Sequence, residues 1–454
     1  MKQRIWVIAL LIAGLGLWAT PASAQLLGGL LGGGSTSTST SSTPPNGPTG
    51  GVIVRTTLGP LGLNLVCLLN NCTVVGNLDG GLNQVFLVKP ATGLLPQLLA
   101  QTLQLVTGIV DAEVDQTGYI PRTPAALTTF PTGLYQSYQV TYYGSTVWYG
   151  YANQPASQII NLSEARSTFR VTGSGIVADI DTGVDPNHPA LKPVLLTGYD
   201  FTRNQPGASE LLDLSYQASA CNSCQPAYVN QSSAAMLDQS SAAMLDGGPD
   251  VAFGHGTEVM GVIHLVAPTA KLLPLKAFEA NGTGNASDII RAIYYAVQNG
   301  ANVINMSFDM TQSSTELSKA LNYATSHGVV CIASAGNDGA NEIVYPAALQ
   351  SNVAGVASTN DFDQRSSFSN YGNQIVWLAA PGEQIVTTYP FGAYAASNGT
   401  SFSAPFVSGT AALLINLKGS VNQSQAESAF THEQYIGSNM GHGRLDVYRT
   451  LNGN

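Results

Sequence analysis

Apolar positions change their spacing along the chain in a way that separates three regions. Residues 25–51 have no period: Gly, Ser, Thr and Pro with a few leucines make a low-complexity linker that builds no core. From residue 52 to about 116, short apolar runs alternate with turn residues. Val52-Ile53-Val54-Arg55 and Gln84-Val85-Phe86-Leu87-Val88 predict strands, residues 94–106 an amphipathic helix and residues 108–114 a further strand. Together they make a small α+β unit. Pro121, Pro124 and Pro131 then mark a junction.

Beyond about residue 150 the period alternates between strand and helix. Gly175 to Ile180 forms a β run, and Ser287 is placed as the N-cap of a helix over residues 288–298. That helix has apolar residues at 289, 290, 293, 296 and 297, with Gly300 past its end. A strand at Val303-Ile304-Asn305-Met306, a helix over 315–326 closed by Gly328 and a strand over 329–333 follow. The alternation predicts an α/β domain: a parallel central sheet flanked by helices, with the small α+β unit ahead of it. Reactive groups in such sheets sit at the carboxyl ends of strands.

Composition narrows the partners and the compartment. With 454 residues, 44% apolar and 10% charged, the chain can bury a large core. A net charge of −10 without any basic run argues against nucleic acid or an anionic membrane surface. At the N-terminus, Lys2 and Arg4, an apolar stretch from Ile5 to Leu17 and Ala22-Ser23-Ala24 have the order of a cleaved export signal over residues 1–24. No later stretch reads as long and apolar enough to span a bilayer, so the mature chain is expected to work outside the cytoplasm, free of the membrane. Cys67 and Cys72 are close, as are Cys221 and Cys224; local disulfides or free thiols are favoured over half a zinc site. Cys331 lies in an apolar run and reads as a buried small hydrophobe. The octapeptide QSSAAMLD at residues 231–238 recurs at once at 239–246, inside a long insertion.

Four loci carry chemistry. Ile180-Asp181-Thr182-Gly183 sets an acid at the end of an apolar strand. Gly254-His255-Gly256-Thr257-Glu258-Val259-Met260-Gly261 sets a histidine between glycines, at the start of an apolar helix. Ser334-Ala335-Gly336-Asn337-Asp338-Gly339 puts a carboxamide in a turn after a buried strand, and Gly399-Thr400-Ser401-Phe402-Ser403-Ala404-Pro405 sets a serine before an apolar run. Each alone is compatible with a turn or a cap. Together they supply a nucleophile, a base, a group to orient the base and a donor for an oxyanion, all at strand-to-helix junctions.

With these motifs, in the order Asp, His, Ser, the chain resembles the subtilisin-like serine proteases (subtilases) of the secreted bacterial type. Asn305-Met306-Ser307, Ala379-Ala380-Pro381-Gly382 and Gly441-His442-Gly443-Arg444-Leu445-Asp446 extend the similarity over residues 158–451. The resemblance implies that Ser401 attacks a peptide carbonyl, His255 moves the proton, Asp181 orients the imidazole and Asn337 helps hold the oxyanion. It implies a secreted endopeptidase of proteins and peptides. No cofactor or catalytic metal is required; structural calcium, common in the family, has no ligands that can be mapped here. Residues 52–140 hold the place of a propeptide that inhibits the enzyme from within, and residues 141–454 that of the peptidase domain. A separate binding module is the competing reading of the N-terminal unit.

The substrate cleft is expected from Ser307, Phe308, Asp309, Ser334, Ala335 and Gly336. Here the chain departs from the family: Ser307-Phe308-Asp309 replaces the usual Ser-Leu-Gly, which predicts a narrower cleft that disfavours acidic substrate residues. Asp179, two residues before Asp181, projects to the same face of its strand and needs a partner or a proton. An aspartic protease would need a second Asp-Thr-Gly, and an α/β-hydrolase would need G-x-S-x-G with its histidine after the serine. The non-enzymatic alternative is a secreted protein with an inert protease fold, and the four reactive groups argue against it.

Overall fold

The computed structural model describes residues 50–121, 131–214, 235–237 and 252–453. The signal segment, most of the linker, Cys221, Cys224 and the second copy of the octapeptide lie outside these residues. Near the N-terminus, strands β1 (Val52–Thr56), β2 (Cys72–Asn77), β3 (Val85–Pro90) and β4 (Ile109–Val114) form an antiparallel sheet in the order β2-β3-β1-β4. Helices α1 (Gly59–Leu69) and α2 (Pro96–Gln104) pack on one face. Strand alternation divides the burial: Val52 and Val54 point at these helices, while Ile53 joins the core of the main domain. Helix α1 and strand β2 are absent from the sequence reading. Residues 59–69 begin Gly-Pro and carry leucines all round, so no apolar stripe of period 3.6 marks the helix. A disulfide joins Cys67 to Cys72 across the turn between α1 and β2.

After β5 (Thr117–Tyr119), the main domain is built on an eight-stranded sheet. Its strands include β6 (Ile176–Asp181), β7 (Lys271–Lys276), β9 (Val303–Met306), β10 (Val330–Ser334), β11 (Ala354–Thr359) and β12 (Leu378–Pro381), while β8 (Thr283–Asn285) lies outside it. The order is β7-β6-β9-β10-β11-β12, all parallel, with two short strands, Tyr199–Asp200 and Gln205–Pro206, beyond β7. Helices α3 (His255–Val266), α4 (Ala286–Gln298), α5 (Thr315–Ser326) and α6 (Thr400–Lys418) cover it. Two apolar cores result, as expected for a parallel sheet buried on both sides: α3 and α6 contribute to one, α4 and α5 to the other.

Three expectations change. Asn285, not Ser287, is the N-cap of α4. Ser287 sits in the first turn, where its N–H and Oγ donate to Asp115 at 2.9 and 2.8 Å. A carboxylate from the preceding segment thus does the work of the cap, at the positive end of the helix dipole. Helix α6 has the length and hydropathy of a membrane span, yet residues 400–415 are buried and it is the central helix of the domain. Of the octapeptide repeat, Ala235–Leu237 forms a strand parallel to Ala393–Ser397.

Candidate active site

Asp181 is the last residue of β6, and His255 opens α3; packing of that helix on the sheet brings the two side chains together. His255 Nδ1 lies 2.7 and 2.9 Å from the two carboxylate oxygens of Asp181, and both residues are buried. Asp181 Oδ1 also accepts the Thr182 N–H at 2.6 Å. A carboxylate on Nδ1 fixes a proton there and leaves Nε2 as the basic nitrogen. Among the described residues His255 Nε2 has no hydrogen-bond partner.

Ser401 stands in the first turn of α6, and its Oγ donates to the Ser307 carbonyl at 3.3 Å rather than to His255. Ser307 Oγ in turn donates to the Ser401 carbonyl at 2.9 Å, tying the helix start to the end of β9. Asn337 lies three residues beyond β10. Its Oδ1 accepts both the N–H and the hydroxyl of Thr400, at 2.9 and 2.8 Å, so its Nδ2 points outward. The motif reading assigned no part to Thr400, although its place beside the serine was a signal.

What Nδ2 meets is the chain itself. It donates to the Pro121 carbonyl at 3.0 Å. The segment leading to Pro121 lies as a strand between β8 and residues 307–310. Thr117, Gly118 and Tyr119 pair with Asn285, Gly284 and Thr283, and the Ile120 N–H donates to the Gly282 carbonyl at 2.9 Å. On the other side, Tyr119 and Asp309 exchange both backbone hydrogen bonds, each 2.8 Å. Two flanking strands therefore hold one extended segment up to the Asn337 amide.

The remaining residues expected to line a cleft divide by what they present. Ser334, Ala335 and Gly336 run along the end of β10, with Ser334 Oγ donating to the Phe308 carbonyl at 3.5 Å. The ring of Phe308 packs on Phe278 with centroids 4.9 Å apart, so its side chain belongs to the core. Asp309 is almost wholly buried; burial first, and Asp338 second, push its carboxyl up to about 7.

A second layer of buried acids surrounds the pair. Burial, and then the charge of Asp181, hold the Asp179 carboxyl well above its ordinary range. Asp179 Oδ1 accepts from Asn305 Nδ2 at 2.9 Å, and the same amide donates to Ser307 Oγ at 2.9 Å. The shift favours the protonated form of Asp179, which lessens the like charge facing Asp181 on its own strand. Glu210, which no motif marked, accepts from Thr182 Oγ1 at 3.1 Å, from the Gly254 N–H at 2.9 Å and from Thr257 Oγ1. It braces both sides of the Asp181–His255 pair, and burial pushes it up to about 7. Among the described residues no three His, Cys, Asp or Glu side chains gather to hold a metal ion.

Known proteins of this architecture share these segments. The profile of the Subtilase family (Peptidase_S8) matches residues 173–443, and the chain belongs to that family of serine peptidases. Thermitase of Thermoactinomyces vulgaris is 33% identical over 282 residues, covering 62% of this chain and 89% of thermitase. The thermophilic serine proteinase of Bacillus sp. (strain AK1) is 32% identical over 282 residues, 61% of each chain. Subtilisin Savinase of Lederbergia lenta is 41% identical over 170 residues, 36% of this chain and 62% of Savinase. The match thus spans less than two thirds of some of these relatives. A solved lanthipeptide protease has the same fold, with a TM-score of 0.52 and 24% identity over 66% of this chain and 98% of its own.

Proposed function

We propose that the chain is an exported serine endopeptidase, made as a precursor that cuts itself and is inhibited by its own N-terminal unit. The observation that carries this reading is the backbone segment lying across the cleft with its Pro121 carbonyl on the Asn337 amide. A peptide held this way presents a carbonyl beside Ser401. On the mechanism, Ser401 Oγ turns from Ser307 toward His255 Nε2, gives up its proton there and attacks the carbonyl carbon. The oxyanion is received by Asn337 Nδ2 and by the N–H at the start of α6. His255 then passes the proton to the leaving amine while Asp181 steadies the imidazolium.

Inhibition from within rests on the docking of the N-terminal unit. Glu113 accepts from Ser314 Oγ and from the N–H groups of Thr315 and Glu316, the latter two at 2.8 and 3.3 Å, at the start of α5. Asp115 does the same at the start of α4, and Arg55 pairs with Glu316 at 2.7 Å. Carboxylates at two helix N-termini hold the strand that feeds the cleft, where the oriented N–H groups favour negative charge. A separate binding module would have no need to thread its own chain through the cleft. Export follows from the signal-like residues 1–24, and no cofactor takes part in these steps.

A sulfonyl fluoride tests the reading. One equivalent should attach to Ser401, by mass spectrometry, and casein hydrolysis should stop. Hydrolysis that survives the reagent would point to a different nucleophile. Asn337→Leu should lower kcat by about 10²–10³ with little change in KM, the loss known for this oxyanion donor in subtilisin itself. A fall in kcat of less than about threefold would place the oxyanion elsewhere.

A further inference from the structure

The register in the cleft singles out one bond. Tyr119 and Asp309 form an antiparallel pair that exchanges both hydrogen bonds, so two residues further on Pro121 falls opposite Ser307. A residue there would donate its N–H to the Ser307 carbonyl. Proline has none to give, and that carbonyl accepts Ser401 Oγ instead. From the other side, Asn337 Nδ2 holds the Pro121 carbonyl at 3.0 Å, within the distance an oxyanion donor needs.

Two further contacts restrict what fits. Asp309 Oδ2 lies 3.3 Å from where a Cβ on Gly336 would stand. The Asp309 carboxyl therefore fills space between residues 307–309 and 334–336, on the side where Ser307 and Asn337 meet Pro121, space a long side chain at that position would need. Three residues earlier, a Cβ on Gly118 would come within 3.1 Å of Ile289 Cδ1, 3.3 Å of Met310 Cγ and 3.5 Å of Phe278 Cε1. That subsite is full without a side chain. Ile120, between these two positions, is buried.

We infer that self-processing breaks the peptide bond on the carboxyl side of Pro121, and that the mature cleft selects proline before the scissile bond and glycine three residues ahead of it. The inference rests on the serine endopeptidase reading and adds the substrate class to it. In the step itself, Ser401 Oγ forms an ester with the Pro121 carbonyl carbon as the bond to the nitrogen of Arg122 breaks. The serine proton leaves on that nitrogen by way of His255. One water then opens the ester: its oxygen becomes part of the Pro121 carboxylate, one of its protons returns to Ser401 and the other is released. The compact Pro121 ring suits a slot that Asp309 has shortened.

The test follows the purified full-length precursor and the Ser401→Ala variant in time, by mass spectrometry. The first products expected from wild type are an N-terminal fragment ending at Pro121 and a C-terminal fragment beginning at Arg122, with neither from Ser401→Ala. Cleavage that depends on Ser401 but falls at another bond overturns this inference and leaves the protease reading standing. A wild type that neither shortens nor digests casein overturns the protease reading itself. With the N-terminal fragment removed, p-nitroanilides of acetyl-Gly-Tyr-Ile-Pro and acetyl-Gly-Tyr-Ile-Phe should differ by about tenfold or more in kcat/KM in favour of proline. Asp309→Gly should bring the pair within about threefold. A phenylalanine substrate cut as well as proline by wild type overturns the preference, and a ratio unmoved by Asp309→Gly overturns the part given to Asp309. Acetyl-Phe-Tyr-Ile-Pro-p-nitroanilide should be slower than its glycine counterpart by about tenfold or more; equal rates would overturn the glycine subsite.

Discussion

Replacing Ser401 with alanine should leave the precursor uncut and lower casein hydrolysis by about 10⁶, the loss known for the same serine in subtilisin itself. The effect is expected to be this large because the substitution removes the attacking oxygen itself. His255 Nε2 without the serine can only poise a water, and the donor at Asn337 then acts on a much slower attack. The substitution is gentle on the fold. Ser401 lies in the first turn of α6, where alanine is a good helix former, and its Oγ makes one hydrogen bond, to Ser307. Losing that bond costs about 1 kcal/mol, so the melting temperature should stay close to that of wild type. Precursor cleavage and casein turnover must fall together, since the first is a single turnover of the second's site. Activity above about a hundredth of wild type would mean that Ser401 is not the nucleophile.

How much of this was legible in the sequence depends on how local the information was. The strand Val303–Met306 and the helix Thr315–Ser326 were read to the residue, because each carries its apolar period within the segment and Gly328 closes the helix. Asp181, His255, Asn337 and Ser401 were marked by short motifs, and the fold brings the first two into contact. What was hidden depended on pairing across long separations. That residues 117–121 lie as a strand between β8 and residues 307–310 follows from a register against Asp309 and Thr283, and no local pattern in Thr-Gly-Tyr-Ile-Pro announces it. Glu210 was invisible for a similar reason: an acid in a long insertion means nothing until Thr182, Gly254 and Thr257 converge on it. Asp309 was noticed as a departure that narrows the cleft. The structure buries its carboxyl beside Gly336.

The second large effect is expected from Asp181→Asn, which keeps size and removes only charge. In the native site both carboxylate oxygens lie within 2.9 Å of His255 Nδ1, and neither can donate. The proton on Nδ1 is therefore required, and Nε2 is left free to accept from Ser401. An asparagine can turn its amide nitrogen toward Nδ1 and donate, which moves the ring proton to Nε2 and leaves no base facing the serine. Its oxygen would then be free for the Thr182 N–H, which Asp181 Oδ1 accepts at 2.6 Å, so the local backbone favours that orientation. The rate of precursor cleavage at neutral pH should fall by about 10⁴, the loss seen when the same change is made in a Ser-His-Asp enzyme of unrelated fold. Because that cleavage is intramolecular, its rate contains no substrate binding and reports the chemical step alone. The buried pair Asp181–Asp179 makes a control available. Burial and the charge of Asp181 push the Asp179 carboxyl toward its protonated form, so Asp179→Asn should leave the rate within about tenfold of wild type. If Asp181→Asn processed as fast as Asp179→Asn, the proton on His255 Nδ1 would be fixed by something other than Asp181, and the assignment of His255 as the base would lose its physical ground.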